Sequence, residues 1–292
     1  MESPVLKDKR IAISISESPD LEGLGYGQVH LEDTMVEIGR YLLASEMNLA
    51  YGGDLRETNN FTRTLFDLAQ NQYNKEPQKV FSNYFAWPIH LNLSEEERSK
   101  NYNTARMVCL KPPDSELDAK QFIPPDTPEN KAIWARSLTQ MRQTQTSAID
   151  ARIMLGGQMD QFKGAWPGLV EEAWLTLKAG KPLYLMGAFG GCAQLVIQMI
   201  QGQMSSHDIR DQVGSKMKDD YSAMINHFNR EAAQRGVAPI DYEKLSAYFK
   251  GKTIADLNNG LSEAENMILF KETEIHRAIA LIMKGLSQRF AM

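Results

Sequence analysis

Three short apolar runs in this chain each break on clustered glycines. They are Asn48-Leu49-Ala50-Tyr51-Gly52-Gly53-Asp54, Ala151-Arg152-Ile153-Met154-Leu155-Gly156-Gly157-Gln158 and Pro182-Leu183-Tyr184-Leu185-Met186-Gly187-Ala188-Phe189-Gly190-Gly191. Each run has the length and apolar content of a buried strand, and apolar residues at helical spacing follow each break. Such alternation builds an α/β fold: a Rossmann-like open, mostly parallel sheet with helices on both faces and glycine turns at the carboxyl ends of its strands. Glycine at that edge lets a phosphate approach the backbone N–H groups of a helix start. The pattern therefore points to a phosphate-bearing ligand.

At 292 residues the chain can form one large α/β domain, alone or with a helical appendage. Its formal net charge of -5 and the lack of any Lys/Arg run argue against non-specific nucleic-acid binding, which draws its affinity from phosphate neutralisation. Cys109 and Cys192 lie in or beside apolar runs and read as core thiols in a reducing compartment. The Met1 end is polar and charged, and no apolar stretch approaches the ~18 residues of a membrane span, so a cytoplasmic location without membrane contact is expected.

Along the chain, strands are expected at Ile11–Ile15, Asn48–Tyr51, within Val80–Trp87, at Ala105–Leu110, Ala151–Leu155 and Leu183–Met186. Helices are expected from about Leu31 to Ser45, from Phe61 with Asn60 as its cap, after Ser94 with Glu97 in a capping box, and at Pro128–Gln145, Gly168–Lys178 and Gly191–Gln201. Five of the twelve prolines fall within 111–130, which marks that stretch as a surface excursion. After Gln201 the strand signal stops, and helices are expected at about 206–218, 219–234, 241–249 and 262–287. This divides the chain into a nucleotide-binding domain at 1–202 and a helical extension at 203–292 packed on it. The segments 191–201 and 262–287 offer broad apolar faces, either for packing on the domain or for self-association.

Candidate ligand-binding groups follow from the strand ends. Ser14, Ser16 and Glu17 close the first strand; Gly52, Gly53, Asp54 and Arg56 follow the second; Arg106 lies at the fourth. Gly156, Gly157 and Gln158 end the fifth, and Gly187, Phe189, Gly190 and Gly191 end the sixth. Arginine suits a bidentate grip on phosphate, which brings in Arg142. Glu171 and Glu172 sit in the first turn of the helix opened by Gly168, where acids complement the helix dipole and could also meet ribose hydroxyls or act as a base. Trp166, in a loop beside Pro167, can stack on a base. The G-x-G-x-x-G spacing, the P-loop and the G-x-S-x-G elbow are all missing, and the five histidines show no metal-ligand spacing, so no cofactor or metal is assigned.

The run Ile149-Asp150-Ala151-Arg152-Ile153-Met154-Leu155-Gly156-Gly157, followed by Gly168-Leu169-Val170-Glu171-Glu172, resembles the strand and split P-G-G-x-G-T-x-x-E motif of the SLOG superfamily. That group includes the "lonely guy" phosphoribohydrolases and the DNA-processing protein DprA. Leu155 replaces the motif's proline, Leu169 its threonine, and 158–167 are inserted between the halves. The resemblance spans about residues 10–202 and places Glu172 at the acid position and Arg142 near the family's arginine, the pair that would be catalytic in hydrolysis of an N-glycosidic bond. The segments Asp54–Thr62 and Trp87–His90, the Arg106 strand and Gly187–Gly191 look closer to the branch found with TIR and nucleoside-phosphorylase domains in bacterial conflict systems. That branch implies sensing of an ADP-ribose or cyclic ADP-ribose relative, self-association, and an effector on a separate chain or in a trimmed part. Three readings stay open: a nucleotide-signal sensor, a nucleoside 5'-monophosphate phosphoribohydrolase, and a scaffold whose glycine turns only shape the fold.

Overall fold

The structure is a computed structural model that describes residues 5–53, 61–72, 80–102, 105–204, 206–214 and 218–291. Six strands form one sheet: β1 (Arg10–Ser16), β2 (Asn48–Tyr51), β3 (Phe81–Phe85), β4 (Arg106–Cys109), β5 (Ala151–Gly156) and β6 (Leu183–Met186). Their order is β4-β3-β2-β1-β5-β6 and every neighbouring pair is parallel. The chain builds outward from β1 in one direction, then returns to its other side with β5, so the strand order reverses between β1 and β5. In open α/β sheets such a reversal opens a crevice at the carboxyl edge.

Alternation along the strands sets the two cores. Ile11, Ile13 and Ile15 of β1, Ala151, Ile153 and Leu155 of β5, and Tyr184 and Met186 of β6 share one face. Helices α1 (Gln28–Ala44) and α2 (Phe61–Gln72) cover that face. The intervening residues point the other way, as a two-residue period requires. On that side Met154, Leu183 and Leu185 pack with α4 (Pro128–Ala148), α5 (Gly168–Lys178) and α6 (Gly191–Ile200). The short α3 (Glu95–Tyr102) starts on the expected capping box: Ser94 Oγ accepts from Glu97 N at 3.1 Å and Glu97 Oε2 from Ser94 N at 2.7 Å. The proline-rich excursion is pinned by two indoles, Trp87 donating to Ala119 O at 3.1 Å and Trp134 to Ile123 O at 2.7 Å.

The C-terminal helices are α7 (Ser206–Gln212), α8 (Lys218–Ala232), α9 (Tyr242–Lys250), α10 (Glu263–Leu269) and α11 (Ile275–Phe290). They form a helical extension that joins both cores. Tyr221, Met224, Phe228 and Phe249 enter the α4–α6 side, while Ala278, Ile279, Ile282 and Leu286 enter the α1 side. The single helix expected over 262–287 is two helices. Glu272 Oε1 accepts from Thr273 N and Glu274 N, and the Glu274 carboxylate caps His276 N and Arg277 N, so these acids end one helix and start the next. The apolar faces of 191–201 and of α11 are buried within the chain, so neither is left for self-association.

Edge strand β6 is covered by this extension. Asn259 Nδ2 donates to Leu183 O at 2.9 Å and Tyr184 Oη to Asn259 O at 2.7 Å. A Cβ on Gly285 of α11 would lie 2.6 Å from Asn259 O and 2.8 Å from the Tyr184 ring. Gly285→Ala is therefore expected to cost about 2–3 kcal/mol and to lower the melting temperature by about 5 °C, read by thermal denaturation. A variant that melts with the parent would show that α11 can shift without loss. At the other edge, Cys109 ends β4 and is exposed, unlike the buried Cys192. The expectation of two core thiols is corrected for Cys109 because β4 is an outer strand whose residues are half-buried or exposed.

Candidate functional site

The carboxyl edge is assembled at the β1–β5 reversal. Gly157 N donates to Ser16 O at 3.0 Å and Gln158 N to Ser16 Oγ at 2.9 Å. The glycine turn of β6 then packs on that of β5, with Cys192 N donating to Gly157 O at 3.1 Å. Gly156, Gly157, Gly190 and Gly191 all have positive φ. A Cβ on Gly191 would sit 2.3 Å from Gly157 O. These glycines thus let two turns of the protein touch each other, a role that the sequence reading had given to a ligand. The burial of Cys192 beneath them pushes its thiol up to about 12.

Helix α6 begins at this contact. The Asp20 carboxylate, from the loop after β1, accepts from Gly191 N at 2.7 Å. An anion is favoured there by the helix dipole and free N–H groups, and Asp20 occupies the place. Beside it opens a cavity of about 1040 Å³, lined by Gly187, Gly190 and Gly191 together with Asp20, Gln194 and Lys271. Asp160, Asp211, Gln198 and Gln212 complete its polar wall, so acids outnumber Lys271. Phe189 is not part of its lining: it is buried edge-to-face against Tyr26 at 5.5 Å.

A second cavity of about 210 Å³ sits at the ends of β2 and β3, lined by Gly52, Gly53, Tyr84, Trp134 and Met141. Asp54, Arg56 and Asn60 lie outside the described residues. Trp166 lines neither cavity; it borders a third, of about 470 Å³, together with Glu171. Arg106 opens β4 at the amino end of that strand and is exposed, away from the carboxyl edge. Glu17 is exposed in the loop after β1.

Glu172 and Arg142 do meet, in a buried polar network. Arg142 Nη1 donates to Glu171 Oε2 at 2.5 Å, and its Nε lies 3.8 Å from Glu172 Oε1. Thr139 Oγ1 donates to the other Glu171 oxygen at 2.5 Å. Gly164 and Gly168 lie against the guanidinium; a Cβ on either would come within 2.8 Å of it. At the centre is a residue to which the sequence reading gave no role, Arg152. It is 1 % exposed on β5 and donates from Nη1 to Glu172 Oε2 at 2.5 Å and to Ser14 Oγ at 2.6 Å. Thr176 accepts from its Nε at 2.8 Å, and Gln145 and Thr146 accept from its Nη2 at 3.1 and 3.2 Å. Ser14 Oγ in turn donates to Glu172. Burial lowers the Arg152 pKa and the Glu172 charge raises it. Tyr51, whose Oη donates to Ile15 O at 2.9 Å, has its phenol pushed up by burial and by Glu172. A sequence signal for Arg152 existed: an arginine inside a strand buried on both faces needs a carboxylate of its own.

The model of the SLOG cluster2 family matches residues 5–269, nearly the whole fold just described. The chain belongs to the SLOG cluster2 family. Its match runs past the sheet and through α10, so the helices after residue 202 are largely part of the family unit. No curated protein matches the chain. Among the described residues, no helix is long and apolar enough to cross a membrane.

Proposed function

We propose that this SLOG cluster2 chain senses a nucleotide-derived signal, ADP-ribose or a cyclic ADP-ribose relative, in the cytoplasm as part of a bacterial conflict or antiphage defence system. The observation that carries the reading is the cavity of about 1040 Å³ at the carboxyl edge, beside the strand-order reversal and the start of α6. Its volume is at the upper end of ligand pockets, roughly 300–1,000 Å³. Its aspartates and glutamines suit ribose hydroxyls and base amines, while phosphate has Lys271 and the N–H of Gly191.

Sensing is favoured over N-glycosidic hydrolysis by the state of Glu172. Its carboxylate is bound by Arg152 and Ser14 within the buried network, and neither Glu172 nor Arg142 lines the carboxyl-edge cavities above. A general base must come within hydrogen-bond reach of its substrate, and Glu172 is turned to Arg152 and Ser14 instead. A sensor also needs a readout, either a homo-oligomer or a separate effector chain, reached through surfaces other than the buried apolar faces of α6 and α11.

Asp20 supplies the test. A phosphate at the α6 start must displace its carboxylate from Gly191 N. Asp20→Ala is expected to tighten ADP-ribose binding by about tenfold in calorimetry, equivalent to one charged competitor removed. The same change should cost about 1 kcal/mol of stability through the lost cap. An unchanged affinity would move the phosphate away from α6; no binding of ADP-ribose, cyclic ADP-ribose isomers, NAD or AMP by either form would remove the reading. Light scattering with and without the tightest of these reports whether assembly responds.

A further inference from the structure

The cavity of about 470 Å³ lies away from the carboxyl-edge pocket, between α4 and α5 and under the α8–α9 connection. From it we infer a second ligand site, for a small planar aromatic anion. The inference goes beyond the proposed nucleotide site and does not rest on it. Two tryptophans form one wall, Trp166 and Trp174, their rings 6.3 Å apart and edge-to-face. Trp166 is fixed from behind by Tyr242, 4.9 Å between centroids, while Trp174 is half-buried. Phe228 and Pro239 also line the cavity. The volume suits a one- or two-ring ligand, and indole walls bind flat rings by offset or edge contacts.

The charges select the sign. Three cations line the cavity, Arg136, Lys178 and Arg235, against two carboxylates, Asp114 and Glu171. Both carboxylates are already held. Asp114 Oδ2 takes Arg136 Nη2 at 2.9 Å and Arg235 Nη1 at 3.0 Å, and Glu171 takes Arg142 and Thr139. Lys178 lies 5.5 Å from the Trp174 ring centroid and has no carboxylate partner among the described residues. Arg136 Nη1 also lies 3.8 Å from Glu231 Oε2, which accepts from Arg235 Nε at 2.7 Å, so these two arginines are matched by Asp114 and Glu231. The positive charge left over beside the aromatic wall is therefore that of Lys178. A carboxylate or sulfonate on a ring stacked at Trp174 would meet Lys178, whereas an aromatic cation would meet no free acid.

The probes are 2-naphthoate and its neutral analogue 2-naphthalenemethanol, followed by quenching of tryptophan fluorescence and by calorimetry on the full chain. The naphthoate is expected to bind saturably, one per chain, about tenfold tighter than the alcohol. Lys178→Ala, at an exposed position, should bring the two ligands to within about twofold of each other, as loss of a charge-assisted contact requires. Trp174→Ala should abolish saturable binding of both. Excess ADP-ribose should leave naphthoate bound, because the two cavities are separate. Absence of saturable binding, equal affinity of the two probes for the parent, an unaltered preference in Lys178→Ala, or displacement by ADP-ribose would each overturn the inference.

Discussion

Replacing Arg152 by methionine is expected to destabilise the protein by about 3–5 kcal/mol, a fall of about 10 °C in melting temperature. The guanidinium is fully buried and all three of its nitrogens donate hydrogen bonds, to Glu172, Ser14, Thr176, Gln145 and Thr146. Its removal leaves the Glu172 carboxylate, whose side chain is 11 % exposed, with only Ser14 and a distant Arg142 guanidinium at 3.8 Å. An uncompensated buried charge is what makes such a loss large; the net worth of the intact pair is far smaller. The double variant Arg152→Met with Glu172→Met should therefore recover most of the stability, because both charges leave together and the apolar replacements can pack beside Met154 and Leu185. Urea and thermal denaturation of the two single variants and the double one measure the coupling. If Arg152→Met melted within about 2 °C of the parent, a shift too small for a broken buried pair, the network would be dispensable.

Gly191→Ala is expected to be the most damaging change at the carboxyl edge. Its φ of +61° already disfavours a side chain, and the added Cβ would lie 2.3 Å from Gly157 O and 2.9 Å from Gly156 C. These are backbone atoms held by the β1–β5 register, so they cannot rotate away as a side chain would. The left-handed conformation alone costs about 1–3 kcal/mol, and displacing the start of α6 adds to it, for a total of about 3 kcal/mol or more. The same displacement would move Gly191 N from Asp20 and reshape the larger cavity, so ADP-ribose binding at that edge should be lost. Gly180→Ala separates strain from clash: its φ is +65°, yet nothing lies within 4 Å of its Cβ. That control should melt about 2–4 °C lower for each kcal/mol of strain and bind ligand as the parent does. Binding retained in a folded Gly191→Ala protein would place the ligand elsewhere.

Much of the architecture was legible in the residue order because the interactions that encode it are local. Strand alternation, the Ser94–Glu97 capping box and the 3.6-residue faces of α4 and α5 all join residues only a few places apart. The break between α10 and α11 was missed although it too is local. The apolar period runs through it, and only the capping role of Glu272 and Glu274 interrupts the helix. The fold class followed from the rhythm of strands and helices; the order β4-β3-β2-β1-β5-β6 did not, since periodicity says which residues face a core but not which strand lies alongside.

That missing order decided the rest. Ser14 and Glu172 are 158 residues apart, and Arg152 reaches Ser14 across 138, because β5 returns to lie beside β1. Only in that register do Ala12, Ser14, Arg152 and Met154 share a face over which α5 can lower Glu172. The glycine turns tell the same story. Their sequence promises close approach, which is a property of a residue without a Cβ. Whether the close neighbour is a ligand phosphate or another turn depends on where β6 is placed, and at Gly157 and Gly191 it is another turn. Composition and spacing thus determined the sheet, its helices and the kind of residue at each strand end. The tertiary structure alone divided the ends of β2 and β6 between two cavities and tied Glu172 to an arginine, because long-range pairing is set by packing free energy summed over the whole fold, not by any local segment.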